Sequence, residues 1–238
     1  MKTDTRTLMT RMLADTLYFF RRNLFPLLVL AALIHVPYQA ATHFLIPSAP
    51  EGQGSMAGGL LAIFLFLAIQ TFHQAAQIRL FADSLEGRPW SLAHCLRTAL
   101  ATVLRLMPAY VIASVITALG ALTFILPGLY LAARFAFYSY FIVLEGAEPV
   151  SALKASLAAT KPYVWPLMGG MLLIGCPLLI LVVLTTEQIY KTVPSGLVLG
   201  FWVVCSFIVA TLIAILKFRF YCLSKEEMRA PFPESSPQ

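Results

Sequence analysis

Between positions 106 and 144 the chain carries a single charge, Arg134, in a run of Leu, Ala, Ile, Val and aromatic residues. A helix crosses the roughly 30 Å core of a bilayer in about 20 residues, so this run is too long for one crossing. Leu126-Pro127-Gly128 divides it. Proline removes a helix donor and glycine accepts turn dihedrals, so the spacing predicts a tight external turn on Pro127 and Gly128 between two spans. Composition excludes the soluble alternative: 59% of the residues are AVILMFWYC and 12% are charged, against roughly 25% charged in a soluble domain.

Reading the remaining apolar runs the same way gives an all-α, polytopic membrane protein. Its six spans lie near 24–46, 56–77, 106–126, 129–144, 163–185 and 196–216, paired into three hairpins. Residues 1–223 form one membrane domain, and 224–238 form a short, disordered cytoplasmic tail. No cleaved signal peptide is expected at the polar, amphipathic start.

The charges orient the spans. Of the 17 Lys and Arg, Arg134 lies within a span and Lys191 alone lies in the opposite loops. The other fifteen flank the same side: Lys2, Arg6, Arg11, Arg21, Arg22, Arg79, Arg88, Arg97, Arg105, Lys154, Lys161, Lys217, Arg219, Lys225 and Arg229. By the positive-inside rule both termini are cytoplasmic. The net charge of +6 then reads as attraction to anionic lipid headgroups on the cytoplasmic side, not to nucleic acid. Cys95, Cys176, Cys205 and Cys222 show no C-x-x-C spacing and suggest neither zinc nor disulfides.

Three times an amphipathic segment precedes a span that opens on a proline: Pro26, Pro108 and Pro166. Proline is tolerated in a first turn, where donors lack partners, so each is expected where an amphipathic cytoplasmic-side helix gives way to a spanning one. In the middle segment Ser91 is the expected N-cap, and Leu92, Leu96, Leu100, Val103 and Leu104 form the apolar face.

The segment LPGLYLAARFAFYSYFIVLEGAEPVSALKASLAATKPYVWP contains Val143-Leu144-Glu145-Gly146, Pro149, Ala152, Ser156, Thr160 and Trp165-Pro166. With Leu17-Tyr18-Phe19-Phe20 and Leu216-Lys217-Phe218-Arg219-Phe220, it resembles the YciC-like family of small bacterial inner-membrane proteins. The resemblance implies a polytopic inner-membrane protein and transfers no catalytic residue.

No H-E-x-x-H, G-x-S-x-G or Walker-type loop occurs. The histidines His35, His43, His73 and His94 fall on different segments, and none has a carboxylate at metal-ligand spacing. No catalytic residue, metal site or cofactor is expected. Two polar features stand out inside the spans. Gln70, His73, Gln74 and Gln77 share one face of the second span and are candidates for lining a polar path or for bonding between helices. Arg134, about five residues past the expected turn, would sit roughly 8 Å below the outer end and could snorkel, pair with Glu187 or face a wet cavity. Small residues at Ala109, Ala113, Thr117 and Ala121, and at Gly196 and Gly200, are expected to let helices pack closely, within the chain or against a second copy.

The expected function is non-enzymatic: a role in envelope maintenance or as a membrane interaction partner, in contact with another membrane protein or with itself. The alternative is a small transporter or lipid-handling protein whose polar cavity is lined by the second span.

Overall fold

The computed structural model describes the backbone at residues 5–45, 56–192 and 195–229, and the side-chain surroundings at 7–37, 59–177, 180–181, 201 and 204–226. Every element there is helical. In order they are α1 (Thr5–Arg22), α2 (Leu24–Leu45), α3 (Met56–Leu85), α4 (Leu92–Thr123), α5 (Ile125–Arg134), α6 (Tyr138–Glu145), α7 (Pro149–Ala159), α8 (Val164–Thr192) and α9 (Ser195–Arg229), with a 3-10 turn at Lys161–Tyr163. Four stretches among the described residues are long and apolar enough to cross a membrane: Gly59–Leu85, Leu92–Thr123, Ile125–Glu145 and Val204–Glu226. The expected spans at 24–46 and 163–185 fall on α2 and α8, parts of which lie outside the described side chains. The chain forms two compact units, one of α1, α8 and α9, the other of α2 to α7.

In the second unit α2 and α3 run antiparallel. Ser84 donates its hydroxyl to Asn23 Oδ1 at 2.7 Å, and the rings of His35 and His73 lie 4.7 Å apart. Asn23 to His35 is twelve residues up α2, and Ser84 to His73 is eleven back along α3. At 1.5 Å per residue both intervals are roughly 17 Å, so one register satisfies both ties. Between them Leu27, Leu30 and Ile34 of α2 are buried, as are Ala76, Leu80 and Phe81 of α3.

Helix α4 begins as the sequence predicts, with Ser91 Oγ accepting from the His94 amide. It then departs from expectation at its proline: Pro108 lies inside one continuous helix instead of at a junction. The apolar face divides: Leu100 and Leu104 are among the most exposed residues, Leu92, Leu96 and Val103 are half-buried, and Cys95, Ala99, Leu106, Ala109 and Ala113 are buried. Lipid accounts for the outward leucines. Leucine gains nothing by leaving hydrocarbon for a protein interior that is equally apolar, whereas small residues let backbones approach. Pro26 and Pro166 do stand where expected, each the third residue of its helix, α2 and α8.

The turn on Pro127 and Gly128 is a correction. The chain reverses at Phe124, whose extended backbone (φ −160°, ψ 153°) caps α4, its amide donating a hydrogen bond to the Gly120 carbonyl. Pro127 and Gly128 lie in the first turn of α5, and Gly128 is not among the positive-φ glycines, which are Gly87 and Gly146. Packing is what calls for a glycine here. A Cβ on Gly128 would meet Ala121 Cβ at 2.6 Å, its Cα at 2.7 Å and its nitrogen at 2.8 Å.

The expected span at 129–144 is also interrupted. Residues 135–137 break it into α5 and α6, and Ser156 of α7 enters the break. Its hydroxyl donates to the Arg134 carbonyl at 2.9 Å and accepts from the Phe137 amide at 3.0 Å. Left-handed Gly146 then ends α6.

In the first unit α1 packs on α8 and α9, so the first amphipathic helix joins the helices of the third hairpin. Met12, Thr16 and Phe19 form its buried face. Asp15 pairs with Arg219 at 2.8 Å, and Phe19 meets Phe218 at 6.4 Å between centroids. Gly170 admits Leu216 of α9. Helix α9 continues past 223 to Arg229, into the segment expected to be a disordered tail.

The Gly128 contact gives a first test. Gly128→Ala should lower stability in detergent by about 1–3 kcal/mol, the usual range for overpacking, read by thermal unfolding. Gly59→Ala, where a Cβ meets nothing within 4 Å, should change it by less than about 0.5 kcal/mol.

Candidate functional site: the polar contacts of α3

Helix α3 ends in a cluster that the sequence reading did not assemble. Asp83, 2% exposed at its side chain, is 2.6 Å from Arg79 Nη2, one turn earlier on the same helix. Arg88 reaches the same carboxylate oxygen at 3.9 Å and also pairs with Glu86. His94 Nδ1 lies 3.2 Å from Oδ2, near enough for an ion pair but off hydrogen-bond alignment, so Oδ2 makes no hydrogen bond.

The elbow between α3 and α4 brings these groups together. Glu86 donates its amide to the Ala82 carbonyl, Gly87 to Ser84 and Arg88 to Asp83. Gly87 takes the left-handed conformation (φ 70°) that the turn requires. Ser91 then starts α4 and presents His94. Nearby, Phe25 and Trp90 meet edge-on at 6.4 Å, both exposed, an aromatic pair of the kind enriched where a membrane meets water.

A buried carboxylate is costly unless it is paired. Arg79 and Arg88 supply the charge, and their placement ties the end of α3 to the start of α4. The sequence held one signal, the i, i+4 pair Arg79 and Asp83 at a helix end. The approach of His94 depended on the elbow.

Two of the four polar residues of the second span turn to different neighbours. His73 turns to His35 of α2, bringing together two of the histidines that the sequence reading left apart. Gln74 turns to α6 and hydrogen-bonds the Tyr138 hydroxyl, which also lies within electrostatic reach of Tyr110. Gln77 is buried and Gln70 half-buried. His73 Nδ1 and Gln74 Oε1 are buried without a hydrogen-bond partner. Arg79 and Asp83 stand well around the helix from the stripe, at 100° per residue, so the two polar features are separate.

Arg134 is the last residue of α5. With the reversal at Phe124 it lies ten residues along, roughly 15 Å of helix, about twice the length implied by a turn at Pro127 and Gly128. Its carbonyl is held by Ser156. Glu187, Gly196 and Gly200 fall outside the described side chains. Ala109 and Ala113 are buried, Thr117 half-buried, and Ala121 receives Gly128. Among the described residues no group of three or more His, Cys, Asp or Glu is placed to hold a metal ion.

Comparison with known proteins finds no matching family model, no matching curated protein and no matching solved structure. The contacts themselves yield two tests. Asp83→Ala should cost roughly 2–4 kcal/mol, because it leaves Arg79 unpaired in a largely buried site; His94→Ala, at a half-exposed position, should cost under about 1 kcal/mol. Ser156→Ala should cost about 1–3 kcal/mol and speed hydrogen exchange at the Phe137 amide above that of its neighbours in α6. Unchanged exchange there would mean that the hydroxyl does not hold the break.

Proposed function

We propose that this chain is a six-span protein of the bacterial inner membrane with both termini in the cytoplasm. It carries out no chemistry of its own and serves in envelope maintenance as an interaction partner. The resemblance to the YciC-like family supports the location. The one-sided distribution of Lys and Arg supports the orientation. Helices α2, α3, α4, α5 with α6, α8 and α9 match the six apolar runs in order.

The observation that carries the functional reading is the use made of the α3 stripe. A conduit needs polar side chains that face a path. Here His73 meets His35, Gln74 meets Tyr138, and Ser84 at the end of the helix meets Asn23. These groups face other helices, through a ring contact at His73 and hydrogen bonds at Gln74 and Ser84, as polar residues inside membranes commonly do. The second reading, a transporter or lipid-handling protein, is favoured by the unmatched His73 Nδ1 and Gln74 Oε1, two atoms that a polar guest would satisfy.

Mutation separates the two. Under the interaction reading, His73→Leu and Gln74→Leu lower stability but leave any cellular phenotype intact once expression is matched; under the transport reading they abolish it in folded protein. The topology is tested by cysteine labelling. A cysteine at Gly54 should react with an impermeant reagent from the outside, and one at Arg97 only after the membrane is opened. Labelling of Gly54→Cys solely from the cytoplasm would reverse the whole map.

A further inference from the structure

We infer that α1 is a helix lying in the plane of the membrane surface, and that Arg11, Arg21 and Arg22 on its outward face bind the phosphates of anionic phospholipids. The inference rests on the reading that the chain spans a membrane, and names the site where that membrane is gripped.

The two faces of α1 differ in kind. The inward one buries Met12, Thr16 and Phe19, and Asp15 at its edge is neutralised by Arg219 of α9. Around the other side stand Arg11, Leu17, Tyr18, Arg21 and Arg22, all exposed. The three arginines meet no acidic side chain among the described residues. Yet this is no ordinary solvated face, since Tyr18 is 68% and Leu17 50% exposed among them. Arginine beside tyrosine and leucine is the composition of an interfacial helix, whose guanidinium groups reach headgroup phosphate while apolar atoms enter the acyl boundary.

The depth of α1 is fixed independently. Met9 Sδ lies 3.1 Å from where a Cβ of Gly169 would stand, so the missing side chain lets α1 rest closely on α8. Trp165, 73% exposed, lies one turn earlier on α8, about 6 Å away along the axis. An exposed tryptophan at the start of a spanning helix marks the interface, and α1 crosses α8 close to that level. Each arginine held near an anionic surface raises local lipid occupancy about fivefold, on the order of a hundredfold for three. Arginine suits phosphate in particular, because its planar fork donates two parallel hydrogen bonds.

The full chain in neutral detergent would be titrated with phosphatidylglycerol and with phosphatidylcholine of identical tails, and bound lipid read by native mass spectrometry. Phosphatidylglycerol should bind in preference. R11Q/R21Q/R22Q should lower its occupancy at least tenfold and leave phosphatidylcholine unchanged, whereas R11K/R21K/R22K should retain most of the preference. The charge-matched control R97Q/R105Q/K154Q, at exposed positions of the other unit, should change it less than twofold. Equal losses in the two triples would reduce the effect to general charge and overturn the site. Displacement of the lipid by an equal concentration of inorganic phosphate would assign the site to the free anion and overturn the lipid. A spin label at Tyr18→Cys in phosphatidylglycerol nanodiscs should be relaxed more by oxygen than by an aqueous nickel chelate. The reverse order would place this face in water, free for a soluble partner, and sink the inference even where Gly54→Cys labelling upholds the topology.

Discussion

A backbone amide stranded in hydrocarbon has no water to turn to, and three interruptions of helix among the described residues answer that fact. At Phe124 the amide returns to the Gly120 carbonyl and closes α4. Before α8 the Tyr163 amide closes on Thr160. At the break between α5 and α6 the chain's own ladder does not suffice, and a hydroxyl from another helix serves both ends: Ser156 donates to Arg134 and accepts from Phe137. That single side chain lets one apolar segment break its helical ladder within the second unit without leaving these two groups bare.

The same solvent reverses the usual sorting of side chains. In α4 Cys95, Ala99, Ala109 and Ala113 lie inside with Leu106, while Leu100 and Leu104 lie outside, because packing between helices in lipid rewards close approach more than apolar area. Gly128 against Ala121 is the extreme case. Polar side chains of α3 follow a complementary rule, His73, Gln74 and Ser84 each meeting a residue on a neighbouring helix, His35, Tyr138 and Asn23. Charge is confined further, to the elbow where Asp83 is enclosed by arginines.

Positions of helices were largely legible in the sequence, since apolar length is a property of composition. So was the Ser91 cap, which depends on three consecutive residues. The reversal at Phe124 was not, because phenylalanine has no turn preference while Pro127 and Gly128, three residues on, are strong turn formers. Their roles are a first-turn proline and a packing glycine, and only the contact with Ala121 reveals the second. The leucine stripe of α4 was visible in the spacing, whereas the burial of Cys95, Ala99 and Ala113 beside it needed the neighbouring helices. Of the polar stripe, the shared face could be read from spacing, whereas the pairing of His73 with His35 needed the register of two helices. Arg134 lies ten residues from the reversal, five more than a turn on Pro127 and Gly128 implies, and that difference follows from where the chain turns.

The break held by Ser156 has a consequence for synthesis. Ser156 lies 19 residues after Phe137 and 22 after Arg134, so for roughly one to a few seconds of translation the break has no hydroxyl to satisfy it. A chain emerging into lipid over that interval has every reason to run α5 and α6 as one unbroken helix, with its ladder intact. The break is thus completed only when α7 arrives and trades a hydroxyl for the ladder bonds it interrupts. By contrast Asp83 follows its nearest partner, Arg79, and waits only five residues for Arg88 and eleven for His94. The buried charge is matched as soon as it is made, while the ladder of the neighbouring helix is settled later.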